Sequence, residues 1–125
     1  MPQPEGHVQR IDAITFATTN MAESVSFYRA LGFVEIFGDS SSAFVTLESE
    51  SCFVNLWLVS QEEMSSSWWG RVVFHVNDVD EFYKRAITAG LSPAAAPKDA
   101  PWGERFFPIS DPSGHDLSFA KRIRD

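Results

Sequence analysis

The same order of strand and helix signals occurs twice in this chain, offset by 58 positions, and this repeat constrains the fold more than any other feature. In the first copy, "RIDAITFATT" alternates and is rich in β-formers, which predicts a strand. "NMAESVSFYRALGF" predicts a helix, with Asn20 as cap and Glu23 three residues on. Val25, Phe27, Tyr28 and Leu31 form its apolar stripe and Gly32 ends it. "FVEIFG", "SAFVTLES" and "SCFVNLWLVS" then predict three more strands.

The second copy starts with a strand at "RVVFHV" and a helix over "NDVDEFYKRAITAG", with Val79, Phe82, Tyr83 and Ala86 on one side. "LSPAAAP" reads as a weak extended segment, because two prolines limit its ladder bonds. "GERFFPIS" and "HDLSFAKR" form the last pair around "DPSG", whose residues suit a type I turn. Asn20 matches Asp78, Gly32 matches Gly90 and Phe33 matches Leu91. Two copies are too few for a solenoid. The expectation is one α+β domain over residues 1–125. It holds a βαβββ module at about 10–60, a connector at 61–69 and a second module at about 70–122. Each helix covers one face of its sheet, so the other faces must meet or enclose something.

Charge and cysteine content remove several function classes. Ten Lys and Arg against 17 Asp and Glu give a net charge of −7. Phosphate binding needs a basic face, so nucleic acid is not an expected partner. The acidic surface serves solubility and mildly favours cationic ligands. Cys52 is the single cysteine, which precludes an intrachain disulfide and a thiolate zinc cluster. It sits in an apolar run and reads as a small buried hydrophobe, and a reducing cytoplasm is the expected location. No segment approaches the roughly 20 apolar residues of a membrane span. "MPQPEGHVQR", which includes His7, reads as a short loose tail. The 11 Phe and 4 Trp exceed what a core this size needs and leave rings for a binding surface.

Three stretches, "NMAESVSFYRALGF", "HVNDVDEFYKRAITAGL" and "PWGERFFPISDPSGHDLSFA", resemble the vicinal oxygen chelate superfamily. Glyoxalase I, extradiol dioxygenases, fosfomycin resistance enzymes and bleomycin resistance proteins belong to it. The W-G-x-R then D-P-x-G tail is shared by members that catalyse and members that only bind. The resemblance implies paired βαβββ modules, each curling a mixed sheet around a cleft. It does not by itself imply chemistry.

In the superfamily's enzymes a divalent metal usually sits in that cleft, held from two strand positions per module. Carried over residue by residue, these positions read Ala13, Asn55, Arg71 and Ser118. Alanine has no donor atom, and a guanidinium has no lone pair to give and repels a cation. Asn and Ser are weak neutral donors, unsuited to Zn²⁺, Ni²⁺ or Fe²⁺. The expectation is therefore no metal and no other cofactor.

Strand parity then selects the cleft-facing residues, because residues two apart share a face. They are Ala13, Thr15 and Ala17; Phe53, Asn55 and Trp57; Arg71, Val73 and His75; and Asp116, Ser118 and Ala120. Arg71 suits a carboxylate or phosphate in a two-pronged contact, or a salt bridge to Asp116. His75 suits a general base or a hydrogen bond to backbone. Asp116 and Ser118 satisfy Arg71 or line the wall, and no Ser-His-Asp triad follows from this spacing. His115 should point away from the cleft or into solvent. Trp57 and Trp102 are rigid surfaces on which a flat ligand can stack. Arg105 and Asp111 are expected to hold the last hairpin. Trp68 and Trp69 lie in the connector, where one of them should meet a ligand or a second subunit.

Bleomycin resistance proteins are the nearest functional type on this reading. The expectation is a homodimer with two aromatic-lined clefts that sequesters a flat, hydrophobic or cationic small molecule. Thr15, Phe53, Asn55, Trp57, Arg71, His75, Trp102, Asp116 and Ser118 are its ligand-binding candidates, with none assigned a catalytic role. Two alternatives stand beside it. One is a lyase, transferase or dioxygenase-type enzyme using unusual metal ligands or Arg71 and His75. The other is a dimeric regulatory module.

Overall fold

A computed structural model of the chain describes residue 6, residues 9–64 and residues 71–123. The first module runs β1 (Ala13–Thr18), α1 (Met21–Ala30), β2 (Val34–Phe37), β3 (Phe44–Ser49) and β4 (Cys52–Leu58). The second runs β5 (Val72–His75), α2 (Val79–Thr88), β6 (Lys98–Ala100), β7 (Glu104–Ser110) and β8 (Asp116–Arg122). The strands form two four-stranded sheets, ordered β1-β4-β3-β2 and β5-β8-β7-β6. In each, the first strand pairs in parallel with the last, and the remaining neighbours are antiparallel. The fold is α+β, with the βαβββ order expected from the repeat.

Local chemistry explains the helix ends. Asn20 Oδ1 accepts from the Glu23 amide at 3.1 Å, and Asp78 Oδ1 accepts from the Glu81 amide at 3.1 Å. Each cap satisfies a backbone donor that the first helical turn leaves open. Gly32 follows α1 at φ 98°, a left-handed conformation that side chains resist. A Cβ there would stand 2.7 Å from Arg85 Nη1, so the glycine also lets the end of α2 approach the end of α1.

One element differs from expectation. "LSPAAAP" is not a strand, and β6 begins only after Pro97, at Lys98. Pro93 and Pro97 have no amide hydrogen to donate, and the segment is tied to β7 by one bond, from the Ala94 amide to the Pro108 carbonyl at 2.9 Å. Trp68, Trp69 and His7 lie outside the described residues.

The helix-facing sides of both sheets join in one hydrophobic core. Phe16, Leu47, Val54 and Leu56 of the first sheet and Phe107, Leu117 and Phe119 of the second are almost fully buried. Phe33 meets Phe74 edge-on at 5.9 Å across the modules. A polar joint runs beside these rings. The Tyr28 hydroxyl donates to Asp111 Oδ2 at 2.8 Å, and Ser113 Oγ donates to Thr18 Oγ1 at 2.9 Å. Asp111 also accepts from the Ser113 and His115 amides, which fixes the "DPSG" turn as its sequence predicts. His115 does point away from the cleft, but into the joint rather than solvent. It stacks on Phe16 at 4.9 Å, and its Nε2 donates to the Ala17 carbonyl at 2.8 Å.

Candidate ligand-binding site

Alternation along each strand divides the predicted residues from the core. Ile14, Phe16 and Thr18 turn toward α1, so Ala13, Thr15 and Ala17 face the opposite side. Register carries that side across the first sheet. Thr15 lies beside Asn55 and Asn55 beside Thr46; Ala17 lies beside Trp57 and Trp57 beside Phe44. The Thr46 hydroxyl donates to Asn55 Oδ1 at 2.7 Å, and Asn55 Nδ2 donates to Thr15 Oγ1 at 3.2 Å. A polar stripe thus crosses an aromatic face. Trp57 is 52% exposed and Phe44 37% exposed.

The second sheet repeats the plan with different side chains. Val73 lies beside Ser118, and Ser118 beside Pro108; His75 lies beside Ala120, and Ala120 beside Phe106. Trp102, in the turn between β6 and β7, is 66% exposed. Its ring stacks on Phe106 at 6.0 Å, and its Nε1 donates to Glu104 Oε1 at 3.1 Å. Lys98 Nζ stands 5.8 Å from the Phe106 ring centroid, a cation on the same aromatic platform. Lys98, Phe106 and Phe44 were not among the sequence candidates. Their strand parity was readable, but which strands lie beside Trp57 and His75 is set by pairing.

Arg71 is exposed, and its Nη1 donates to Ser118 Oγ at 3.4 Å. It forms no ion pair with Asp116 among the described residues. Asp116 is half-buried and accepts from Ser110 Oγ at 3.4 Å. Ser118 and Ala120 are buried, so the floor of the second face is closed where the first is open. Arg105 does not hold the last hairpin. It donates to Asp80 of α2 at 2.9 Å and to Asp99 of β6 at 2.9 Å, clamping helix to sheet. Asp111 alone has the turn-holding role.

Between the modules lies a cavity of about 600 Å³ that takes in Ala13, Phe53, Arg71, Val73 and His75. Thr15, Asn55, Trp57, Trp102, Asp116 and Ser118 do not line it. Cys52 does, and its half-burial pushes the thiol pKa up, away from the reactive thiolate.

The four metal-position residues do not fit a divalent transition metal. Asn55 is held between Thr15 and Thr46, Ser118 accepts from Arg71, and Ala13 offers nothing. Among the described residues no three of His, Cys, Asp and Glu are grouped to hold a cation.

The family model of the Glyoxalase/Bleomycin resistance protein/Dioxygenase superfamily matches residues 10–119. The chain belongs to this superfamily. Solved members share its fold at low identity. A bleomycin-binding protein complexed with bleomycin matches at 20% identity and TM-score 0.75, covering 92% of this chain and 99% of that one. A bleomycin resistance determinant encoded on the transposon Tn5 matches at 19% identity and TM-score 0.77, covering 93% and 100%. A superfamily protein from Nocardioides matches at 21% identity and TM-score 0.75, covering 95% and 88%. An uncharacterised protein of Mycobacterium bovis is 38% identical over 50 residues, which are 40% of this chain and 33% of that protein. The chain thus matches only about a third of that relative's length. Among the described residues no helix is long and apolar enough to cross a membrane.

Proposed function

We propose that this superfamily member is a metal-independent binding protein that sequesters a flat or hydrophobic small molecule, cationic compounds included. One observation carries the reading: Trp57 stands exposed on the open face of the first sheet, and Trp102 stands exposed in the turn between β6 and β7, stacked on Phe106. Indole rings left in water suit ligand stacking, since they bury much area at little entropic cost. The net charge of −7 favours cationic compounds. The bleomycin complex of a structural neighbour supports a small-molecule ligand. On this reading the protein is a cytoplasmic homodimer, with partner sheets completing each cleft.

Titrating intrinsic tryptophan fluorescence with planar cationic compounds tests the proposal. A saturable change, lost in both Trp57→Ala and Trp102→Ala, is expected. A flat response across the panel would count against it. The enzyme alternative draws on the shared cavity of Arg71 and His75. It requires stoichiometric metal in protein purified without chelators, or turnover in glyoxalase or thiol-transferase assays.

A further inference from the structure

The cavity between the modules has a chemistry of its own. Among the described residues β1 pairs only with β4, and β5 only with β8, so each is the outer strand of its sheet. Residues of both outer strands border this one cavity. An unpaired strand edge offers alternating N–H donors and C=O acceptors. The floor is a run of phenyl rings. Phe33 meets Phe74 at 5.9 Å, Phe74 stacks on Phe119 at 5.3 Å, and Phe119 meets Phe82 at 4.6 Å.

Two exposed side chains of opposite charge, Arg71 and Glu50, also line the cavity. Neither forms an ion pair among the described residues. Among the described residues Arg71 meets only the neutral hydroxyl of Ser118. Glu50 has φ 52°, which no other non-glycine residue described here shares in sign. Glu50 opens the two-residue loop of the β3–β4 hairpin, where a tight turn takes positive φ, and this holds its side chain at the sheet end beside the cavity. Asp12, the other rim carboxylate, already lies 3.7 Å from Arg10.

We propose that this compartment binds a small aromatic zwitterion of the amino-acid type. Its ring packs on Phe53 and Phe82, the half-buried phenyl rings that line the cavity, its carboxylate meets Arg71 and its ammonium meets Glu50. The two strand edges supply the remaining hydrogen bonds. A volume of about 600 Å³ is within the usual range for small-molecule sites. This site goes beyond the aromatic faces of the proposed function, because neither Trp57 nor Trp102 lines it.

Isothermal titration of the full chain with L-phenylalanine, 3-phenylpropanoate and 2-phenylethylamine tests the proposal. L-Phenylalanine should bind at one site per chain, at least about 10-fold tighter than either one-headed analogue. Arg71→Gln should erase its advantage over the amine, and Glu50→Gln its advantage over the acid. Trp57→Ala should change neither. Both charged residues are exposed, so the variants should melt near the parent temperature. Absence of binding by all three compounds overturns the proposal. So does L-phenylalanine binding that ignores both charge variants, or that disappears in Trp57→Ala. The fluorescence titration with planar cations is decided separately by the two tryptophans, so either proposal can fail alone.

Discussion

The Tyr28 hydroxyl donates to Asp111 Oδ2 at 2.8 Å, joining the first module's helix to the second module's last turn across 83 positions of sequence. Tyr28 is fully buried and Asp111 is 4% exposed. Tyr28→Phe keeps the ring but removes a hydrogen bond from a buried carboxylate. Leaving such a group short of a partner costs about 1–3 kcal/mol. The variant's urea midpoint should fall accordingly, with an unchanged slope.

The same tyrosine sets an alkaline limit. Burial first, then the nearby Asp111 charge and their hydrogen bond, raise its pKa well above the ordinary value of 10.0. A raised pKa means the folded state keeps a proton that the unfolded state has released. Its stabilisation is whole below about pH 10 and is lost as pH rises toward the folded-state pKa. Unfolding free energy measured from pH 8 to pH 11 should decline in the parent, and decline less in Tyr28→Phe.

Gly32→Ala tests how closely the two helix ends approach. The position has φ 98°, and the added Cβ would stand 2.7 Å from Arg85 Nη1. The guanidinium can swing aside, so backbone strain dominates the cost, at about 1–2 kcal/mol. Gly32→Ala combined with Arg85→Ala should recover only a minor part of that loss. Full recovery in the double variant would identify the steric contact as the main term.

Helices, caps and strand faces were legible because their determinants are local. Asn20 and Asp78 announce caps within three residues, and alternation in "AITFAT" separates Phe16 from Thr15. The resemblance in the D-P-x-G tail named the family that the comparison then showed. What the sequence hid depends on pairing and docking. Nothing near Tyr28 in the chain points to Asp111. Strand register brings Phe106 beside Ala120 and Phe44 beside Trp57. The joint had one usable signal: a tyrosine on an apolar helical stripe needs a partner for its hydroxyl. The shift of the extended segment to Lys98–Ala100 follows from the two prolines already visible in it.

Exposure separates the tryptophans from the core rings. Phe119 is 1% exposed and packs against Phe74, Phe82 and Phe107. Phe119→Ala should cost about 3–5 kcal/mol through lost burial and a residual cavity. Trp57→Ala and Trp102→Ala remove rings that are 52% and 66% exposed, so each should change stability by only about 0.5 kcal/mol. Chemical denaturation of the three variants checks the contrast. A tryptophan variant as damaged as Phe119→Ala would make that ring structural rather than free for a ligand.

Arg105 should give the protein a salt- and acid-sensitive helix attachment. It donates through Nε and Nη2 to Asp80 and through Nη1 to Asp99, all at 2.9 Å. Hydrogen bonding from Arg105 holds the Asp80 carboxyl below its ordinary pKa, and the guanidinium pKa is raised in return. A depressed carboxyl pKa stabilises the fold above the ordinary Asp value of about 3.9. That contribution is lost as pH falls through the folded-state pKa. Stability should therefore drop more steeply in the parent than in Arg105→Gln between about pH 4 and pH 2. In 1 M salt, where the screening length is about 3 Å, the difference between the two proteins at neutral pH should shrink. Hydrogen exchange on α2 gives the local readout. Faster exchange of the Glu81 to Arg85 amides in Arg105→Gln, with α1 unchanged, is the result expected of a clamp acting on one helix.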